Sequence, residues 1–140
     1  MAKKNQEVWR CLSVRQPHAW AIMVGAKDVE NRKRRSYYLG RLYIHAGLTE
    51  DVDAVEEVTE RVAAHLGISA GAARARYRRH RERGRGAIIG HVQMFGCAVS
   101  HASEWFDGEP QYGYLLRDPV PLRQPIPAKG STAVPFKFRP

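Results

Sequence analysis

Cysteine is nearly absent from this 140-residue chain, and the two that occur, Cys11 and Cys97, sit in strand-like segments at no metal-ligand spacing. A disulfide-stapled scaffold and a cysteine zinc site are thereby excluded, and both residues read as reduced, buried thiols. Long apolar runs are also missing. The longest is Ala19–Val24, far below the roughly 20 residues that a membrane-crossing helix needs, so no membrane partner is expected. Met1 to Arg10 lacks the apolar centre of a secretory signal, which gives a cytoplasmic expectation. Among six histidines, only His101 stands at a plausible local spacing from a cysteine, Cys97, and neither a metal nor another cofactor is expected. Lys129-Gly-Ser-Thr132 has the letters of a phosphate-binding loop in the wrong order and without the preceding glycines, so a nucleotide hydrolase is rejected. No serine lies in a Gly-x-Ser-x-Gly turn.

Acids are scarce as well: 14 Asp and Glu stand against 23 Lys and Arg, a formal net charge of +9. The excess is localised. Arg74 to Arg85 carries seven arginines and one glutamate, and Arg32 to Arg35 is four consecutive cations, which leaves the other 124 residues at −1. Two short basic elements on a nearly neutral domain suit local contact with a polyanion, RNA or DNA. Arginine outnumbers lysine 17 to 6, and its planar fork is the better group for phosphate.

At 44% hydrophobic residues, the length fits one domain, residues 1–140, with a sizeable core. Val8–Val14 alternates as a strand, and Gln16-Pro17 breaks it. Pro17 suits the start of a short helix to Val24, which Gly25 ends in a left-handed turn. Extended chain follows over Lys27–Lys33, then a strand over Arg41–Ala46. Glu50–Leu66 shows helical spacing of Val52, Val55, Val58, Val62 and Leu66, with Thr49 as its cap and Gly67 as its stop. Ser69 caps a second, surface helix to about Arg83, whose only large apolar residue is Tyr77. Six acids from Glu50 to Glu60 crowd the first of these helices, a candidate to dock against Arg74–Arg85. Ala87–Ser100 reads as a central strand with bends at Gly90 and Gly96, Tyr112–Arg117 as another, Pro119–Pro127 as an extended edge or connector, and Val134–Phe138 as the last strand. The class is α+β, a small β-barrel with a helical insertion at about 50–85.

The densest chemistry lies between Leu12 and His45. Lys27, Glu30 and Arg32 fall within six residues of one another, beside Gln16 and His18, and supply donors together with a carboxylate acceptor, a set suited to a nucleotide. On spacing alone the trio equally describes a surface ion-pair ladder. Lys27 is odd-spaced from Glu30, so in extended chain one of the trio must turn inward through a bend.

Gly25-x-Lys27-x-x-Glu30-x-Arg32 resembles the motif of the ASCH family. It is preceded by a family-like Ser13-Val-Arg-Gln-Pro17 and followed by Ile44-His45-Ala46. Ala87-Ile-Ile-Gly90, Tyr112-Gly-Tyr114 and Pro127-Ala-Lys129-Gly130 extend the resemblance over most of the chain, with 50–85 as the variable part. The resemblance implies a PUA-like barrel with a short helix beside an RNA-binding cleft lined by the motif. It also implies that Lys27 and Arg32 hold a phosphate or a polar base edge, that Glu30 accepts from a base amine or orients Lys27, that His18 or Trp20 packs on a base, and that Lys129 is a cation at the cleft edge. Trp20, on the apolar side of its helix, equally reads as core. Arg15, Gln16, Arg34, Arg35, Arg74, Arg78, Arg79 and Arg81 complete the expected nucleic-acid-binding set.

The family often has aromatics where this chain has His18 and Arg34, which trades stacking surface for charge. Some members hydrolyse cytidine acylated at its exocyclic nitrogen. They carry threonine at the position of Glu30 and an acid in the later strand, where this chain has His91 and Gln93. A binding module is therefore favoured. The alternative is a small hydrolase acting on modified cytidine nucleosides or on RNA, with Lys27 and Glu30 as acid and base.

Overall fold

The computed structural model describes residues 7–140, so the first six residues of the Met1–Arg10 stretch lie outside it. Its order is β1 (Trp9–Gln16), α1 (His18–Met23), β2 (Val29–Arg32), β3 (Gly40–Glu50), α2 (Val55–Leu66), α3 (Ala70–Gly84), β4 (Ala87–Ala98), β5 (Tyr112–Pro127) and β6 (Phe136–Phe138), with one 3-10 turn at Val52–Ala54. The strands form a single mixed sheet in the order β2-β5-β4-β3-β1-β6. Only β1 and β3 run parallel.

The α+β class is as expected, but the barrel is not closed. Its terminal strands β2 and β6, four and three residues long, do not pair with each other, and the sheet stays open.

Strand alternation builds the core. Leu12, Val14, Leu42, Ile44, Val92 and Met94 point to one face and pack with Ala19, Ile22 and Met23 of α1. Cys11, Tyr43, Ile88 and Phe136 point to the other face. Cys11 is fully buried, which pushes its thiol up to about 12, whereas Cys97 is only half-buried; both are free. Trp20, Val58, Val62, Ala73, Tyr77 and Trp105 form a second cluster between the helices. Trp20 is 3% exposed and its ring tilts against Tyr77 at 5.4 Å, so it is a core residue and offers no face to a base.

Two boundaries differ from the sequence reading. Glu50 ends a strand and does not begin a helix, because Gln16 pairs with Glu50 and Asp51 N donates to Gln16 O at 2.7 Å. The helix starts at Val55, and Thr49 does not cap it. Residues 112–127 form one long strand, bent near Asp118 at φ +55°. Beyond Leu115 its outer side has no strand partner among the described residues, which accommodates prolines at 119, 121, 125 and 127. Other local signals hold: Ser69 Oγ accepts from Ala72 N at 3.1 Å, and the β4 register shifts at Gly90 and Gly96.

Candidate nucleic-acid cleft

Backbone geometry at the end of α1 sets the site. Gln16 Oε1 accepts from Trp20 N at 2.9 Å and fixes the start of the helix. Gly25, at φ +83°, turns the chain back, and both Ala26 N and Lys27 N then donate to Ala21 O. Lys27 is thus held just before β2. Glu30 and Arg32, two residues apart on that strand, share a face. The three side chains meet: Lys27 Nζ lies 3.4 Å from Glu30 Oε1, and Arg32 Nε lies 3.0 Å from Glu30 Oε2.

Lys27 is 5% and Glu30 7% exposed, so the trio is a buried ion cluster and not a surface ladder. Burial alone would raise the Glu30 carboxyl. The Lys27 and Arg32 charges, with the Arg32 hydrogen bond, outweigh it and hold the group below the usual carboxylate range. Arg32 also donates to Ser13 O. Lys27 Nζ is 2.8 Å from His18 Nδ1, and His18 Nε2 is 3.2 Å from Asp51 Oδ2. A continuous relay therefore runs from Asp51 through His18, Lys27 and Glu30 to Arg32. Beneath it, the Trp105 ring lies 5.6 Å from the Lys27 ammonium.

This cluster opens into a cavity of about 480 Å³, within the range of small-ligand sites. Arg15, Lys27 and Arg32 bring three positive charges to its wall, and Glu30 and Asp107 bring two negative ones. Asn31 fixes one rim: its Nδ2 donates to Trp105 O at 2.8 Å and its Oδ1 accepts from Asp107 N at 3.0 Å.

Of the residues singled out from sequence, Arg15, His18, Lys27, Glu30 and Arg32 converge here. Gln16 is 1% exposed, serves the helix, and is not in the wall. Arg34 and Arg35 are exposed outside the cavity. Lys129 lines an adjoining groove. The α3 arginines divide: Arg74, Arg78 and Arg81 border a hollow with Glu50 and Glu56, while Arg76, Arg79 and Arg83 border a groove against Trp20 and Pro121. Arg81 pairs with Glu50 at 3.2 Å, which is the one ion pair among the described residues between the Glu50–Glu60 acids and the Arg74–Arg85 run. Sequence reasoning missed Asp51, Asn31, Asp107, Ser131 and Thr132. The last two belong to the rejected phosphate-loop letters and nonetheless line the cavity. Among the described residues no three His, Cys, Asp or Glu side chains gather as a metal cluster, and no helix is long and apolar enough to cross a membrane.

No family model matches the chain, and no curated protein matches it. Among solved structures it is similar to the ASCH structure from Zymomonas mobilis, at 22% identity over 84% of this chain and 72% of that one, with a TM-score of 0.46. Two point mutants of the same protein align at the same identity and TM-score, over 74% and 72% of their chains. The likeness is one of fold.

Proposed function

We propose that the protein binds single-stranded nucleic acid, RNA foremost, by admitting the base of one nucleotide into the Lys27–Glu30–Arg32 cavity. The observation that carries this reading is the placement of Glu30, a buried carboxylate held between two cations in the cavity wall. A phosphate seated there would meet the Glu30 charge. A base edge, which presents donors and acceptors together, finds a partner for each. An unpaired strand is the form that can splay such a base out of its stack. Arg15 at the wall, Arg34 and Arg35 outside it, and the exposed arginines of α3 then supply backbone contacts that carry no sequence preference.

The test is fluorescence anisotropy with labelled single-stranded RNA and DNA over a salt series. Affinity should fall with salt at a log–log slope of about −0.7 per neutralised phosphate. Lys27→Ala should weaken binding, Glu30→Gln should change which base is preferred, and Arg78→Ala with Arg79→Ala should weaken all sequences alike. Binding that is indifferent to salt and to Lys27 would overturn the proposal.

The hydrolase alternative draws on one feature, the Asp51–His18–Lys27 relay, which could move a proton at Lys27 Nζ. Turnover of acylated cytidine or labelled RNA that disappears in Lys27→Ala would favour it over simple binding.

A further inference from the structure

The cavity does not stop at Ser131 and Thr132. Those residues, with Ser13, Gly47 and Leu48, also line a groove of about 470 Å³ that continues past the C-terminal end of β5. The partition between the two spaces is hydrogen-bonded and closely packed. Ser13 and His45 are register partners across the parallel β1–β3 pair. His45 Nε2 lies 2.7 Å from Ala128 O, an atom that can only accept, so Nε2 carries a proton and donates there, while Nδ1 hydrogen-bonds the Ser13 hydroxyl at 3.1 Å. Ser13 Oγ in turn accepts from Ser131 N at 3.2 Å. Gly130 lies directly on this pair: a Cβ there would come within 2.7 Å of both His45 Cε1 and Ser13 Oγ. The 128–132 loop is therefore pinned to the β1–β3 pair, lines the groove along its length and presents Ser131 and Thr132 to both spaces.

The two spaces differ in charge. The cavity mixes three cations with two carboxylates. The groove has Arg85 and Lys129 and no acid in its lining. Neither cation has a carboxylate partner among the described residues, and both are exposed. The hydrogen bond from Ala128 N to Gly86 O, at 3.1 Å, brings their backbones together. Leu48, 65% exposed, adds an apolar surface between the two spaces.

We propose that this groove is a second subsite, taking the nucleotide joined by a phosphodiester to the one whose base enters the cavity. Arg85 and Lys129 hold the phosphate, and the ligand is a strand of at least two nucleotides. This rests on the base-in-cavity reading given above. It also assigns a role to Arg85, the last residue of the Arg74–Arg85 run.

The experiment is competition by a nucleoside, its 5′- and 3′-monophosphates and the corresponding dinucleotide against a labelled oligonucleotide on the full chain. The dinucleotide should compete at least roughly tenfold better than either monophosphate. Arg85→Ala with Lys129→Ala should bring that ratio to about one, while Arg85→Lys with Lys129→Arg should keep most of it. A monophosphate that captures the whole gain would reduce the groove to a phosphate anchor and overturn the second-nucleotide assignment. So would a dinucleotide advantage that survives the alanine pair. If the nucleoside competes in a Lys27-dependent way but the dinucleotide gains nothing, the subsite falls and the base cavity stands. If none competes in a Lys27-dependent way, the base cavity falls and the subsite with it.

Discussion

Lys27 Nζ and His18 Nδ1 stand 2.8 Å apart, and because an ammonium can only donate, His18 must accept at Nδ1 and keep its proton on Nε2, facing Asp51. The imidazole acts as an acceptor that aims Lys27. His18→Asn, whose Oδ1 can stand in for Nδ1, should retain most oligonucleotide affinity. His18→Leu should lose roughly 1–2 kcal/mol of binding or stability, since it removes the shorter of the two acceptors of the buried ammonium and leaves only Glu30. Anisotropy titrations and urea unfolding of both variants check this.

Glu30 makes folding sensitive to acid. Its carboxyl is held below its unfolded value, so its ion pairs stabilise the fold fully above the ordinary carboxylate range. That contribution is lost as pH falls through the folded value. Urea midpoints measured from pH 7 down to 3 should drop for the native chain over this interval. Glu30→Gln should be less stable at pH 7 and show a flatter acid limb.

His80 acts in a higher window. Burial, reinforced by Arg83, lowers its pKa from 6.5 to about 4, and its Nε2 is buried without a hydrogen-bond partner among the described residues. Between those values the unfolded chain takes up a proton that the folded chain refuses. Stability therefore falls as pH drops from 6.5 toward 4, by up to roughly 3 kcal/mol. His80→Gln should remove this component, as read by thermal melts at pH 7, 6 and 5.

Tyr77 ties α3 to the end of β3. Its hydroxyl donates to Glu50, which Arg81 also engages at 3.2 Å, and burial together with that hydrogen bond raises its pKa, keeping it a neutral donor. Tyr77→Phe should cost about 2 kcal/mol in denaturant unfolding and leave the oligonucleotide salt slope unchanged.

Two glycines should respond in opposite directions. A Cβ at Gly90 would come 2.2 Å from Met23 Sδ and 2.6 Å from Val120 O, whereas one at Gly71 would meet nothing within 4 Å. Gly90→Ala should destabilise by about 3 kcal/mol. Gly71→Ala, on the exposed side of a helix, should stabilise by about 0.5–1 kcal/mol. Differential scanning calorimetry of the pair decides it.

Features written in a few neighbouring residues were legible in the sequence. Gly25 as a left-handed stop, Ser69 as a cap, and bends at Gly90 and Gly96 follow from local spacing, whereas the Lys27, Glu30, Arg32 trio is singled out by its resemblance to a family motif, spacing alone leaving a surface ladder equally open. Glu50 and Asp51 misled because acids before an apolar-periodic run look like a helix start. Here tertiary pairing claimed them first, through Gln16 O, Tyr77 and Arg81. Asp51 could not be recognised as the partner of His18, 33 residues away, because that contact exists only once the end of β3 reaches the start of α1. The walls at Asp107, Ser131 and Thr132 come from loops without periodicity. Barrel closure failed to appear because it depends on the lengths of β2 and β6, which residue pattern does not determine.

The open sheet has a consequence for how other molecules can approach. Among the described residues its free margins are the four-residue β2, the three-residue β6, the Leu12–Gln16 side of β1 that β6 does not reach, and a stretch of β5 set with prolines that have no N–H to donate. Each of these margins is short or interrupted by proline, so little unpaired main chain is offered to a neighbouring β-segment among the described residues. Fibril-like growth and capture of extended peptides by backbone pairing are disfavoured together, which leaves recognition to side chains, and among them to the charged ones.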